Sequence, residues 1–157
     1  MQRRMREFTM TPEAVVALLQ EAPYGMISTL DEEGYPYTVA VHFVWLDSKL
    51  YFHGLAQGKK MDNLKRDSRV CFSVARLDRI TGETADTPCD ADADYESVVI
   101  RGNAVILSDT EQKRGILHAI IKKFMPALSH LPLPDPRVNG TAVVEIIPRE
   151  ITGKYHR

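Results

Sequence analysis

The apolar residues of this chain follow two periods. Between Tyr24 and Ala75 they mostly come in short runs with the two-residue alternation of half-buried strands. Over 12–22 and 110–124 they recur at three and four, the period of a helix packed on one side. Thr11 caps a first helix that starts at Pro12, carries Val15, Val16, Leu18 and Leu19, and stops at Pro23. Tyr24 to Leu30 predicts a strand, and Asp31-Glu32-Glu33-Gly34 a turn. Tyr35 to Leu46 predicts one long strand, Asp47-Ser48-Lys49 a second turn and Leu50 to His53 a third strand. Lys59 to Arg66 reads as a short helix and Arg69 to Ala75 as a fourth strand.

From Leu77 to Asp94 the pattern fails. Asp78, Glu83, Asp86, Asp90, Asp92 and Asp94 crowd a stretch with little apolar content, which predicts a long acidic loop, either a surface excursion or a lid. Tyr95 to Leu107 restores the strand pattern, with Gly102 as a bulge. Ser108-Asp109-Thr110-Glu111 reads as a capping box before a helix that runs through Phe124. Four prolines between Met125 and Asn139 predict an extended linker, Thr141 to Ile147 a last strand, and Ile151 to Lys154 a tail. Six strands joined mostly by hairpins predict a mainly β, antiparallel fold. A small closed barrel solves its edge problem, and a two-layer α+β sheet is the alternative.

With 157 residues the chain is expected to form a single domain over 1–157. Twenty basic against 21 acidic residues leave a net charge of -1, which argues against nucleic acid or an anionic membrane as partner. The stretch from Met1 to Met10 is basic without the apolar segment of a signal peptide, and no apolar run approaches the roughly 20 residues of a membrane span. Cys71 and Cys89 make neither a disulfide framework nor a zinc cluster, so a cytoplasmic location with reduced thiols is the simplest expectation.

Candidate chemistry concentrates in Tyr51-Phe52-His53-Gly54-Leu55-Ala56-Gln57-Gly58-Lys59-Lys60-Met61-Asp62-Asn63. A strand ends in a histidine, a glycine-bracketed turn follows, and two lysines open a helix. Glycines admit a ligand close to the backbone, a helix start offers unpaired N–H groups, and Lys59 and Lys60 add charge. The same turn is also what a solvated basic surface looks like. Asn63 sits one helical turn from Lys59 and is read as facing the same way. In the second strand, alternation puts Val39, Val41 and Phe43 on one face and Thr38, Ala40, His42 and Val44 on the other, with Ala40 leaving room for a flat group. Ser28 and Thr29 place hydroxyls in an otherwise apolar strand, for a ligand or for the neighbouring backbone. His42 and His53 lack a carboxylate or cysteine at metal-ligand spacing, so no metal is expected. Nor is there any nucleophile-elbow, Walker or Rossmann glycine motif.

The segments Ala22-Pro23-Tyr24-Gly25, Asp31-Glu32-Glu33-Gly34-Tyr35-Pro36-Tyr37, Val41-His42-Phe43-Val44 and Tyr51-Phe52-His53-Gly54 with Gly58-Lys59-Lys60 follow in an order that resembles one family. It is the pyridoxamine 5′-phosphate oxidase-like split-barrel flavoproteins, and within them the nitroimidazole-resistance subgroup. Tyr95 to Gly102, preceded by Cys89, and Ile151 to Lys154 fit the same subgroup. The resemblance implies a six-stranded antiparallel split barrel that forms a homodimer with FMN between subunits. It implies that Lys59 and Lys60 take the phosphate, that Thr38, Val39, Ala40 and Val41 lay backbone along the flavin ring, and that His53 and Gly54 close over it. Where the oxidase proper carries an arginine at the start of the second strand this chain has Thr38, and the oxidase's basic C-terminal substrate residues are missing, so pyridoxamine phosphate is a poor substrate candidate. The expectation is an FMN-dependent oxidoreductase moving electrons from a reduced nicotinamide, NADH or NADPH, to a small organic acceptor such as a nitro compound. Two other readings stand beside it: a non-catalytic flavin- or haem-binding sensor or carrier with His42 or His53 as haem ligand, and a dimeric scaffold with an empty groove.

Overall fold

The computed structural model describes residues 7–83 and 86–157. Much of the basic stretch from Met1 to Met10, and the middle of the acidic segment at 84 and 85, lie outside the described residues. Among the described residues four α-helices, α1 (Pro12–Glu21), α2 (Lys59–Arg66), α3 (Thr110–Phe124) and α4 (Asp135–Gly140), accompany seven strands. These are β1 (Gly25–Leu30), β2 (Pro36–Val41), β3 (Phe43–Leu46), β4 (Lys49–Leu55), β5 (Arg69–Thr81), β6 (Asp92–Ile106) and β7 (Thr141–His156). All pair antiparallel in one sheet of order β2-β1-β5-β6-β7-β4-β3.

The first and last strands of that order are consecutive in the chain. The sequence predicts one strand over 35–46, and side-chain alternation does run unbroken through it, with Val41 and Phe43 inward and His42 exposed between them. Hydrogen bonding breaks it in two: β2 pairs with β1, whereas β3 pairs with β4. Alternation reports which way side chains face and says nothing about which partner the backbone takes, so six expected strands become seven. The sheet thus closes covalently through His42, and β2 and β3 keep one edge each outside the ladder.

The interior is filled by Ile27, Phe43, Leu50, Phe52, Phe72, Val98, Ile100, Val144 and Ile146. Into it α1 buries Val15, Leu18 and Leu19, and α2 buries Met61 and Leu64. Thr11 caps α1 as expected, accepting from Ala14 N at 3.3 Å. The β3–β4 hairpin turns on Asp47 and Ser48, both at positive φ (48° and 61°), which matches the twist of the flanking strands.

Four expectations change. The acidic stretch 77–94 is strand at both ends, 77–81 and 92–94, where Asp94 meets Arg79 across the β5–β6 ladder at 2.5 Å, with Arg76 and Glu96 paired beside them at 2.7 Å. Only 82–91 connects the two strands. The cap of α3 is Asp109, whose carboxylate accepts from Gln112 N at 2.7 Å, one residue later than the box read at Ser108. The proline-rich linker contains α4, whose Val138 is fully buried beside Leu117 of α3, and the tail at 151–154 continues β7 to His156. Gly102 does mark a bulge: the β6–β7 register shifts there, and a Cβ on it would come within 2.3 Å of Ile147 O.

Outside the barrel the two halves of the sheet differ. Helix α3 lies over β3, β4 and β7, burying Ile120 against Val44 and Tyr51, and Leu117 against Val143. Beneath it Glu145 accepts from Tyr51 Oη at 2.8 Å and Lys49 Nζ at 3.0 Å. On the other half, outward rows Thr38–Ser28–Cys71–Arg101–Glu150 and Ala40–Met26–Ser73–Val99–Thr152 cross from β2 to β7, and every one of these residues is exposed or half-exposed. Among the described residues no helix is long and apolar enough to cross a membrane.

Candidate functional site

The chain leaves one edge of the sheet and joins the other at His42. Extending the β3–β4 register by one residue, from Phe43 opposite Phe52, sets His42 across from His53. Beyond that point β2 departs to pair with β1 while β4 runs on through Leu55, so each has an edge outside the ladder. The start of α2 spans both strands. Gly58 opens it at φ 108°, a conformation that only glycine adopts without strain, and no side chain caps it.

The two lysines diverge from there. Lys59 places Nζ 5.2 Å from the Tyr37 ring centroid on β2 and 3.2 Å from Asp31 Oδ2 on the β1–β2 turn. Lys60 places Nζ 4.9 Å from the Phe52 ring centroid on β4, where a Cβ built on Gly54 would meet it at 3.4 Å. Lys60 has no carboxylate within ion-pair distance among the described residues, and burial lowers its pKa. His53 is half-buried. Burial first, then His42 and Lys60, hold its pKa below the ordinary histidine value, and its Nδ1 is buried without a hydrogen-bond partner in the structure. The His42 ring packs against Phe124 at the end of α3 in a tilted arrangement, centroids 4.7 Å apart. Beside it Lys123 Nζ reaches Phe43 O at 3.2 Å and Leu19 O at 3.4 Å, and burial pushes its pKa down to about 8.

The predicted site residues therefore fall into three groups. His53, Gly54, Lys59 and Lys60 meet at the start of α2. Thr38 and Ala40 point outward from β2. Ser28 Oγ lies 2.8 Å from Thr38 Oγ1, Ala40 helps line a cavity of about 330 Å³ with Tyr24, Val41 and His42, and Val39 packs against the core. Ser28 also lines a separate cavity of about 420 Å³ with Leu30, Cys71 and Arg101. Thr29 and Asn63 form the third group. Both are 2% exposed, and Asn63 Nδ2 donates to Thr29 Oγ1 at 2.9 Å. Asn63 does share a helix face with Lys59, one turn on, but its short side chain stays buried against Thr29 of β1 while the longer Lys59 reaches past it to Tyr37, so Asn63 is spent on the sheet. With Arg66, which donates to Leu30 O at 2.6 Å and Asn63 Oδ1 at 3.1 Å, it ties α2 to the sheet.

Sequence reasoning missed Asp31, Tyr37 and Lys123 as neighbours of this site. Asp31 carried only a turn signal, and nothing local shows that a turn 28 residues upstream meets Lys59. Among the described residues no group of three His, Cys, Asp or Glu side chains is placed to hold a metal ion.

A phosphorylated heteroaromatic ligand suits these features: one ammonium without a counter-ion, an orphaned imidazole nitrogen, an uncapped helix start and strand edges outside the ladder. Comparison with known proteins gives the family. The family model described as pyridoxamine 5′-phosphate oxidase matches residues 11–155. The chain belongs to the pyridoxamine 5′-phosphate oxidase family. Among solved structures it is similar to a candidate 5-nitroimidazole antibiotic resistance protein from Bacteroides thetaiotaomicron (24% identity, 94% of this chain and 86% of that one, TM-score 0.83). It is also similar to the flavocytochrome Anf3 from Azotobacter vinelandii (22%, 99% and 72%, TM-score 0.86). A third is an FAD- and haem-binding protein from Mycobacterium smegmatis (20%, 94% and 72%, TM-score 0.83). At these identities the likeness speaks for the split-barrel fold. No curated protein matches the sequence.

Proposed function

We propose that this protein binds FMN and acts as an oxidoreductase, taking electrons from a reduced nicotinamide and passing them to a small organic acceptor, with nitro compounds as the first class to try. Bound flavin supplies the redox chemistry; the chain's own residues hold and orient it. Lys60, with Lys59 and the start of α2, receives the phosphate. The β2 backbone at Thr38, Val39, Ala40 and Val41 lies along the ring, with His53 and Gly54 on the opposite side. Two copies pair through the bare β2-β1-β5-β6 face, which puts the ring groove next to the partner. The observation that carries this reading is the half-buried ammonium of Lys60, without a carboxylate partner among the described residues, beside the unpartnered His53 Nδ1.

The test is the absorbance spectrum of freshly purified protein, with the flavin released by heat and identified. Expected are flavin bands, release of FMN, and a loss of affinity in Lys60→Ala on the order of tenfold or more. A colourless protein that takes up no added FMN, or unchanged binding in Lys60→Ala, rejects it. The orphaned His53 Nδ1 also favours a second reading, a haem-binding sensor or carrier in which this nitrogen ligates iron. A Soret band that disappears in His53→Ala supports that alternative.

A further inference from the structure

Lys59 and Lys60 are neighbours in sequence but not equals in charge. Lys60 has no carboxylate partner among the described residues, whereas Lys59 is held by Asp31 at 3.2 Å. Asp31 is itself fixed. Its Oδ1 accepts from Tyr35 N at 2.8 Å and Glu33 N at 3.1 Å, which leaves Oδ2 directed at the lysine. Its side chain is 14% exposed while that of Lys59 is 55% exposed, so the carboxylate is the anchored member and the ammonium the mobile one. Desolvation raises the Asp31 pKa, but the Tyr35 N–H, Lys59 and the Glu33 N–H outweigh it and keep the carboxyl ionised below the usual range. An anion arriving at the start of α2 therefore meets a competitor of its own sign already bound to half of the charge it needs.

We propose that Asp31 is an affinity-setting counter-ion of the lysine turn. It competes with every anion that takes Lys59, so a bare anion such as inorganic phosphate is held weakly while a phosphorylated ligand whose ring is held independently by the β2 edge still binds. This rests on the phosphate role proposed above for the turn. Lys60 then carries most of the phosphate's share of affinity, and Lys59 adds only the difference between a phosphate partner and a carboxylate partner. Asp31→Asn isolates the charge, because an amide oxygen can still accept both turn N–H groups while the competing anion is gone.

The experiment titrates wild type, Asp31→Asn, Lys59→Ala and the double variant with FMN, with riboflavin, which lacks the phosphate, and with inorganic phosphate at constant ionic strength. Flavin is read by fluorescence quenching and phosphate by phosphorus NMR. Asp31→Asn is expected to tighten FMN and inorganic phosphate each by about threefold to fivefold, the scale of one partly exposed ion pair, and to leave riboflavin unchanged. The gain should vanish in the Lys59→Ala background. Weaker or unchanged FMN binding in Asp31→Asn, a gain shared by riboflavin, or a gain that survives Lys59→Ala overturns the proposal. Its failure is separable from that of the flavin reading. If no variant binds either flavin, tighter phosphate in Asp31→Asn upholds the counter-ion while the flavin assignment falls, and phosphate binding that is unimproved or undetectable overturns both.

Discussion

The two outer faces of the barrel are made of the same sheet and finished in opposite ways. Over β3, β4 and β7, helix α3 buries Val44, Tyr51 and Val143, and the one carboxylate beneath it, Glu145, has two hydrogen-bond donors. Over β2, β1, β5 and β6 the outward positions are Thr38, Ala40, Met26, Ser28, Cys71, Ser73, Val99 and Arg101, small or amphipathic and exposed or half-exposed. Among the described residues, only the first of the two faces adds buried apolar clusters to the barrel interior. The second has too little apolar content to demand a cover for folding, yet too many small side chains to be an ordinary charged surface. A sheet face of this kind suits a flat partner, whether a ring or a second sheet. The site lies where the two regimes meet, at His42, the residue that belongs to neither strand.

The sharpest way to break this comparison is to put a charge on each face. Val143→Asp, fully buried in wild type, should cost more than about 3 kcal/mol and leave little folded protein in a urea titration. Val99→Asp on the bare face should change monomer stability by no more than about 0.5 kcal/mol while abolishing, in sedimentation, the dimer proposed above. A dimer that survives Val99→Asp would place the pairing elsewhere.

The next effect concerns the tie between α2 and β1. Asn63→Ala removes the donor to the buried Thr29 hydroxyl and one acceptor of Arg66. About 1–3 kcal/mol of stability should be lost in chemical denaturation. Stability equal to wild type, with flavin binding lost, would return Asn63 to the ligand-contacting group.

Smaller and more diagnostic is the pH dependence from Lys123, which stitches α1, α3 and the β3 backbone together at the seam. Its pKa is about 8 in the folded protein against an ordinary 10.5, so between these values the unfolded chain binds more protons than the folded one. Its contribution is therefore fully present above pH 10.5 and lost as pH falls through about 8. Unfolding midpoints should rise between pH 8 and 10, below the range where Tyr51, pushed up to about 12 by burial and by Glu145, begins to act in the opposite sense. Lys123→Met should flatten that rise; an unchanged slope would assign it to other groups.

Much of this organisation was legible from local chemistry. Thr11 before Pro12, Gly102 at the β6–β7 bulge and Asp47-Ser48 at a hairpin each act within a few residues, and steric and hydrogen-bonding preferences of that range are written in the sequence itself. The lysine turn was visible for the same reason: Gly58 permits the backbone that opens α2, and Lys59-Lys60 follow it directly. Asp94 and Asp109 show where local reading stops. Asp94 reads as loop because its partner, Arg79, lies across a hairpin; Ser108 matches the cap pattern as well as Asp109 does, one residue earlier.

The sequence by itself determined the strand and helix periods, the caps and turns, and the basic turn where charge gathers, because each depends on residues within about one turn or one hairpin of each other. Tertiary structure alone decided that one alternating run serves as both ends of a sheet, that Asn63 ties while Lys60 stands unpaired, and that Asp31 reaches Lys59. Those outcomes depend on which strands hydrogen-bond and which charges meet across dozens of residues, and side-chain periodicity carries no record of partner choice.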